Sequence, residues 1–384
     1  MDFRLTEEQE IFRDAVRDFC ASEVIPYASE WDAQESFPTE TVAALGDLGL
    51  LGMKAPEEYG GQGADAVTIA LAIEEVARAD GSLALTVASH NSLCTGHILR
   101  AGSEEQKRRY IPKLATGEWL GAWCLTEPSS GSDAGGARTR AIRDPSTGDW
   151  VINGAKTFIT QGSLAGVYVV LASTTPERKQ KGITAFAVEA DDPGLSVGRH
   201  LKKLGMRSSD TTEVIFEDVR VPDSRRLGRV DYGFQDTLFI LEQGRIGIGA
   251  LALGLARGAL EESARYAQDR QQFGKPIAKF QAIQWMLADI ATEIEAARLL
   301  IFRAACGQDS GRRTPTESAM AKLFASEVAM RATDKAIQIH GGYGYTTEFP
   351  VERYFRDAKL CTIGEGTSEV QRMVIARNLL AAAG

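Results

Sequence analysis

Among the residues able to do chemistry, one carboxylate stands out by its neighbours: Glu365, in Gly364-Glu365-Gly366, just ahead of Ser368-Glu369-Val370-Gln371. The Ser368-to-Gln371 spacing is that of a capping box, which places the acid on a loop at a helix N-terminus. Glycine makes a backbone costly to order. An acid held between two of them implies an unusual turn, or a ligand pressed against that turn. A solvated acid there would only complement the helix dipole; a shielded one could take up a proton. Spacing alone leaves both open.

Three further stretches carry potential chemistry. Trp123–Asp133, "WCLTEPSSGSD", is a turn rich in amides and hydroxyls, able to receive an anion or a polar ring edge or to serve as a plain crossing loop. In Asp269–Gln284, "DRQQFGKPIAKFQAIQ", a helix breaks at Phe273-Gly274 and Pro276. Arg270 at the break is either a phosphate ligand or a salt-bridged helix end. In residues 336–358, "AIQIHGGYGYTTEFPVERYFRDA", a helix stops at Gly341-Gly342. His340 there has no nucleophile beside it and reads as structural. The five cysteines form no CxxC pair and the four histidines no HxxxH or HExxH. That spacing argues against a metal site and for free thiols in a reducing compartment.

The elements that must position these residues fall into three segments. Residues 1–120 read as helical. Boxes at Thr6-to-Gln9 and Ser103-to-Gln106 start two helices, with "TETVAALGDLGLLGM" and "DAVTIALAIEEVARAD" between them and the loop "PEEYGGQGA". Residues 121–230 change to short strands. There "DWVINGAKTFIT" predicts a hairpin turning at Asn153-Gly154. Residues 231–384 return to helix in four long segments with short links, which predicts an antiparallel bundle.

A chain of 384 residues with 44% hydrophobic content has ample core. Its net charge of -9 and lack of a basic block argue against nucleic-acid binding. The opening "MDFRLTEEQEIFRDAV" has no apolar export core. "IGIGALALGLA", Ile246–Ala256, is too short to span a bilayer and suits close helix packing, so no membrane insertion is expected.

Taken in order, "TEPSSGSD", "RQQFGKPI", "QIHGGYGY" and "EGTSEVQR" make the chain resemble the acyl-CoA dehydrogenase family over nearly its whole length, most closely the short-chain, butyryl-type branch. The resemblance implies an α+β multidomain fold: an N-terminal helical domain, a middle β-barrel-like domain and a C-terminal four-helix bundle. It implies one FAD per subunit and a homotetramer built as a dimer of dimers. Trp123, Leu125, Thr126, Gly131 and Ser132 match the loop along the flavin, with Ser132 also near the CoA portion. Phe158, Ile159 and Thr160 match a flavin-contacting strand. Arg270, Phe273, Gln281, Gln338, Gly341 and Gly342 match residues that reach the FAD diphosphate and adenosine of a neighbouring subunit. Thr367 and Glu369 match further FAD contacts, and Glu242, Arg245 and Gly366 match substrate contacts.

Glu365 matches the base that takes a proton from the α carbon of an acyl-CoA thioester while the β hydrogen leaves as hydride to the flavin. The developing enolate then requires hydrogen bonds at the thioester oxygen. Burial should raise the Glu365 pKa and the helix N-terminus should lower it. Two departures are notable: Gly364 stands where relatives often have a large aromatic, and Phe158 where tryptophan is common. Some branches carry the base directly before the arginine of "LEQGR"; here that residue is Gly244. The implied activity is oxidation of a short or short-branched acyl-CoA to trans-2-enoyl-CoA, in the cytoplasm, with an electron-transferring flavoprotein as acceptor. An oxygen-using acyl-CoA oxidase and a non-catalytic acyl-CoA-binding or assembly protein are the alternatives.

Overall fold

Hydrogen bonds across three residues start the first helices. The structure, a computed structural model, describes residues 4–383; Met1–Phe3, the head of the stretch read for an export signal, and Gly384 lie outside the described residues. Both expected boxes form, at Thr6 ahead of α1 (Glu7–Glu23) and at Ser103 ahead of α7 (Glu104–Thr116). Between them run α2 (Ala28–Gln34), α3 (Thr39–Asp47), α4 (Ala66–Ala79), α5 (Gly81–Ser89) and α6 (Gly96–Ala101). A π-helical segment, His90–Thr95, joins α5 to α6.

The middle of the chain is one mixed sheet: β1 (Leu120–Cys124), β2 (Arg140–Arg143), β3 (Trp150–Thr160), β4 (Ala165–Ser173), β5 (Ile183–Glu189), β6 (Leu195–His200), β7 (Thr211–Val221) and β8 (Arg226–Leu227). Its order is β6-β7-β3-β2-β4-β5-β8, with β1 parallel to β4. Among the described residues the two ends do not pair, so hydrogen bonds do not close a barrel. Side chains alternate across each strand. Val167, Val169 and Leu171 of β4 pack with Tyr110, Ile111 and Leu114 of α7. Tyr168, Val170 and Ala172 face the sheet's own core with Trp150, Phe186 and Phe216.

The expected hairpin at Asn153-Gly154 is not there, because β3 runs unbroken through it. The pair instead marks a bulge against β7. Asn153 exchanges two hydrogen bonds with Asp218, at 2.9 and 2.8 Å. Gly154 sits at φ +147° against Thr139, where a Cβ would lie 2.8 Å from the Thr139 Cα. The glycine permits a close backbone approach, not a reversal.

After the sheet come α8 (Gly233–Asp269), a two-strand ribbon of β9 (Gln271–Gln272) and β10 (Lys275–Pro276), α9 (Gln281–Asp309), α10 (Pro315–His340), α11 (Val351–Cys361) and α12 (Ser368–Ala383). The four expected long helices are present. The fifth, α11, was not separated from its motif, although Val351, Tyr354, Ala358 and Cys361 bury one face at helical spacing. Of the described helices, α8 alone is long and apolar enough to cross a membrane, and it is mostly buried inside the protein. Its small residues bring backbones together: a Cβ on Gly254 would meet the Glu74 carbonyl of α4 at 2.3 Å. Beside this contact, buried Glu74 and Glu75 of α4 are neutralised by Arg257 of α8, Arg298 of α9, and Arg17 and Arg78. Removing one partner from such a cluster costs roughly 3–5 kcal/mol, because the other charge stays buried. The N-terminal helices are thereby fixed to α8, and the π-helical segment lies against the first third of α8, with Leu93 beside Gly244.

Candidate functional site

Glu365 lies in the short loop between α11 and α12, which is closed by Ser368 N donating to the Thr362 carbonyl at 3.0 Å. The acid itself is left-handed at φ +52°, and Gly366 follows at φ +94°. A non-glycine residue in that region stores strain and persists only where its surroundings hold it. The two flanking glycines therefore differ. Gly366 is required by the turn, and a Cβ there would also meet Gln371 Nε2 at 2.8 Å. At Gly364 a Cβ would meet only ordinary contacts near 3.6 Å, so this glycine leaves space that the turn does not demand.

The expected capping box is displaced by one residue. Ser368 begins the helix, and Thr367 is the cap, its Oγ1 accepting from Val370 N at 3.3 Å. Gln371 instead reaches back into the loop, donating to the Gly366 carbonyl at 2.8 Å and the Glu365 carbonyl at 3.4 Å. Two successive left-handed residues turn those carbonyls toward it.

Glu365 is partly exposed as a residue, yet its Oε2 is sealed from solvent and without a hydrogen-bond partner. It lies against Gly244 of α8, where a Cβ would stand 2.0 Å from Oε2, with Leu93 of the π-helical segment beside it. A side chain at 244 and this carboxylate cannot occupy the space together. Burial pushes the Glu365 pKa from 4.5 to about 7, opposed by the charges of Lys322 and Arg245. Desolvation thus outweighs the cationic surroundings. Arg245 is itself buried, with its Nε unpartnered. Glu242, one turn back from Ile246 on the same helix, is turned elsewhere: it accepts from Arg313 Nε at 2.9 Å and Thr314 N at 2.5 Å.

The two segments matched to the flavin ring are tied to each other. Thr157 N donates to the Thr126 carbonyl at 2.9 Å, and buried Lys156 donates to the Leu125 carbonyl at 3.1 Å and to Glu127 at 2.9 Å. A register shift in β3 between Lys156 and Ile159 puts Phe158 at φ +57° and leaves the residue 68% exposed, while Ile159 is buried and Thr160 half-buried. Trp123 donates its indole N–H to His97 at 3.2 Å, Leu125 is buried, and Gly131 and Ser132 are exposed. A bulge that turns an aromatic outward beside an amide-rich turn suits a planar ligand.

The other matched set lies at the far end of α8. Phe273 and Gly274, at φ +53° and +75°, make the two-residue turn between β9 and β10, the kind expected at Asn153-Gly154. Phe273 is 92% exposed. Arg270, Gly341 and Gly342 line a cavity of 460 Å³ with Tyr266, His340 and Tyr343. Gly341, at φ +61° and ψ -134°, adopts a conformation essentially reserved for glycine, and a Cβ there would meet nothing. Gln281 and Gln338 are exposed. An arginine and open glycine backbone beside the Tyr266 and Tyr343 rings fit a dinucleotide's phosphates and base, so the residues present suit FAD. His340 stacks on Tyr266 at 4.2 Å, and its Nδ1 lies 2.8 Å from the Ala336 carbonyl, contacts that suit a structural part.

Sequence reasoning passed over Lys322. It lies on the buried stripe Ser318, Lys322, Ala325, Ala329 of α10, and a lysine on such a stripe was the available signal.

Comparison with known proteins identifies the family. Family profiles described as acyl-CoA dehydrogenase N-terminal, middle and C-terminal domains match residues 6–118, 122–219 and 231–380. The chain is 50% identical to "Probable acyl-CoA dehydrogenase YngJ" of Bacillus subtilis (strain 168), covering 99% of this chain and 100% of that one. It is 46% identical to "Acyl-CoA dehydrogenase, short-chain specific" of Clostridium acetobutylicum, covering 98% of each. The structure of butyryl-CoA dehydrogenase from Megasphaera elsdenii superposes with a TM-score of 0.97 at 42% identity, over 99% of this chain and 100% of that one.

Proposed function

This chain belongs to the acyl-CoA dehydrogenase family, and from that premise we propose that it oxidises a short or short-branched acyl-CoA to the trans-2-enoyl-CoA, with Glu365 as the base. It is a flavoprotein oxidoreductase whose cofactor is FAD. The observation that carries the role of Glu365 is its carboxylate oxygen Oε2, sealed from solvent, unpartnered and seated against a helix glycine. A carboxylate near its pKa at neutral pH, and held dry, is a stronger proton acceptor than one in water.

Bound FAD supplies the acceptor for the hydrogen and electron pair that leave the β carbon. The work of this chain's residues is at the α carbon. Glu365 takes the α proton. Its backbone N–H, outside any helix, is the donor the loop offers to the thioester oxygen as negative charge develops there. Leu93 and Gly244 wall the carboxylate and keep water from competing for it. Arg245 lies toward the CoA portion. Thr126, Ser132, Phe158 and Thr160 hold the ring side of the cofactor, with Thr367 and Glu369 beyond. Arg270, Phe273, Gln281, Gln338, Gly341 and Gly342 serve the nucleotide end of a neighbouring subunit's cofactor, which makes cofactor binding depend on the dimer, two of which build the homotetramer. The large exposure of Phe273 supports that reading, since an aromatic side chain gains by being covered. The divisions 1–120, 121–230 and 231–384, a cytoplasmic location and an electron-transferring flavoprotein as acceptor complete the proposal. The short-chain preference is supported by the short-chain and butyryl relatives.

The test is Glu365→Gln. The variant should retain FAD and bind acyl-CoA, yet show no loss of flavin absorbance on anaerobic substrate addition. Full bleaching at the parent's rate would remove Glu365 as the base.

A further inference from the structure

The loop that carries Glu365 is gripped by α10, at a stretch of that helix far from Gln338 in sequence and without a part in the reaction as proposed. Lys322 of α10 is completely buried, and its Nζ donates to the Gly366 carbonyl at 2.7 Å. One turn further on, Ser326 Oγ donates to the Cys361 carbonyl at 2.8 Å. Residues four apart share a helix face, so one face of α10 fastens both ends of the segment 361–366. From the opposite side Gln371 of α12 donates to the same Gly366 carbonyl at 2.8 Å. That carbonyl therefore has two donors, next to two residues held in left-handed conformations.

A neutral donor would satisfy a carbonyl as well as an ammonium does, and a buried ammonium is costly unless it faces negative charge. The charged and titratable groups around Lys322 are Glu365 on the loop, Cys361 at the end of α11, Glu369 of α12 and Arg245 of α8. Arg245 is in turn bordered by Glu242 on its own helix and Arg377 of α12. Glu365 is the sealed carboxylate of this group.

We infer that Lys322 is a positioning residue for the catalytic base: its ammonium fixes the Gly366 carbonyl, and with it the strained turn, and its charge favours the ionised form of Glu365. The inference rests on the reading of Glu365 as the base. It agrees with Lys322 being the first of the two charges that oppose the upward push of burial on Glu365. Burial lowers Lys322 itself to about 8. The base is ionised above about 7 and the lysine charged below about 8, so both charges are present together in the interval around neutrality.

The experiment compares parent, Lys322→Met and Lys322→Gln holoenzymes in three readouts. These are the acid limb of the pH–rate profile, the Glu365 carboxyl titration by infrared difference against Glu365→Gln, and hydrogen exchange of amides 362–368. With the charge removed, the acid limb and the carboxyl midpoint should both move up by about one pH unit in either variant. Exchange in the loop should rise about tenfold in Lys322→Met and less in Lys322→Gln, which keeps a donor. If both variants fold and leave the acid limb and midpoint in place, Lys322 is only structural and the inference fails. If neither folds, linkage gives the same test from the other side. Glu365→Gln must then lower the amine midpoint of Lys322, followed by NMR of lysine-labelled protein, and an unmoved midpoint overturns the inference. An active Glu365→Gln would instead overturn the base itself, so the two failures are distinct.

Discussion

Replacing Glu365 by glutamine should make the protein more stable, and only above acidic pH. Unfolded, this carboxyl titrates near 4.5; folded, burial raises it to about 7. Between those values the folded state binds the proton that the unfolded state has released, so stability falls as pH rises through that interval. Below 4.5 both states are protonated and the residue contributes nothing. Above 7 both are ionised and the full cost is present, about 3 kcal/mol at ~1.4 kcal/mol per pH unit. Glutamine has nearly the same shape and no charge to desolvate. The variant should therefore exceed the parent by about 3 kcal/mol at pH 7.5 and by close to nothing at pH 4.5. Urea denaturation of parent and variant at the two pH values, with FAD saturation matched, reads the difference from the midpoints. An equal effect at both pH values, or destabilisation at pH 7.5, would refute the view that the carboxylate is held dry at an energetic cost to the fold.

Other substitutions separate stability from chemistry. Gly244→Ala places a methyl where Oε2 now lies, and the flexible carboxylate must yield. Turnover should fall about 10²–10⁴-fold, as for loss of a general base, while thermal unfolding shows an unchanged or more stable helix. Gly366→Ala should destabilise by about 1–2 kcal/mol through its positive φ, whereas Gly364→Ala should be neutral or gain about 0.5 kcal/mol; urea midpoints of the two side by side decide it. Arg270→Ala should weaken FAD retention about tenfold, measured by flavin release on dilution, in line with loss of one charge-assisted hydrogen bond. Lack of any effect would detach the cavity beside Gly341 from the cofactor.

How much of this was legible depends on how far each signal had to reach. The capping boxes at Thr6 and Ser103 involve residues three apart, and sequence shows them whole. Asn153-Gly154 is also a local signal, but its outcome is decided by Asp218, 65 residues away, whose side chain and amide complete the ladder. With that partner the pair becomes a bulge, and the two-residue turn falls at Phe273-Gly274, where no alternating strands announced it. The capping box at Ser368 failed for a related reason: the left-handed turn at Glu365 and Gly366 presents two carbonyls, and Gln371 binds those in preference to the helix start.

Glu365 was visible because of its glycines, yet the two serve different ends. Gly366 lets the chain turn, and Gly364 only leaves room. The glycine that most directly shapes the acid's surroundings is Gly244, on another helix and 121 positions earlier by its number, since it supplies the space into which the carboxylate is pushed. Lys322 is of the same kind: the charge pattern of α10 shows a lysine on an apolar face, but nothing local says that the loop after α11 will cover it. What sequence alone could not provide was the sign of the Glu365 shift. Helix N-terminus and nearby cations pull it down, desolvation pulls it up, and the balance depends on three elements closing over one oxygen. A base that titrates near neutrality is consequently a property of that closure: a variant that opens it at Leu93, or crowds the carboxylate out at Gly244, should return the acid toward an ordinary carboxylate pKa even with Glu365 intact, whereas loss of the Lys322 charge should raise it further.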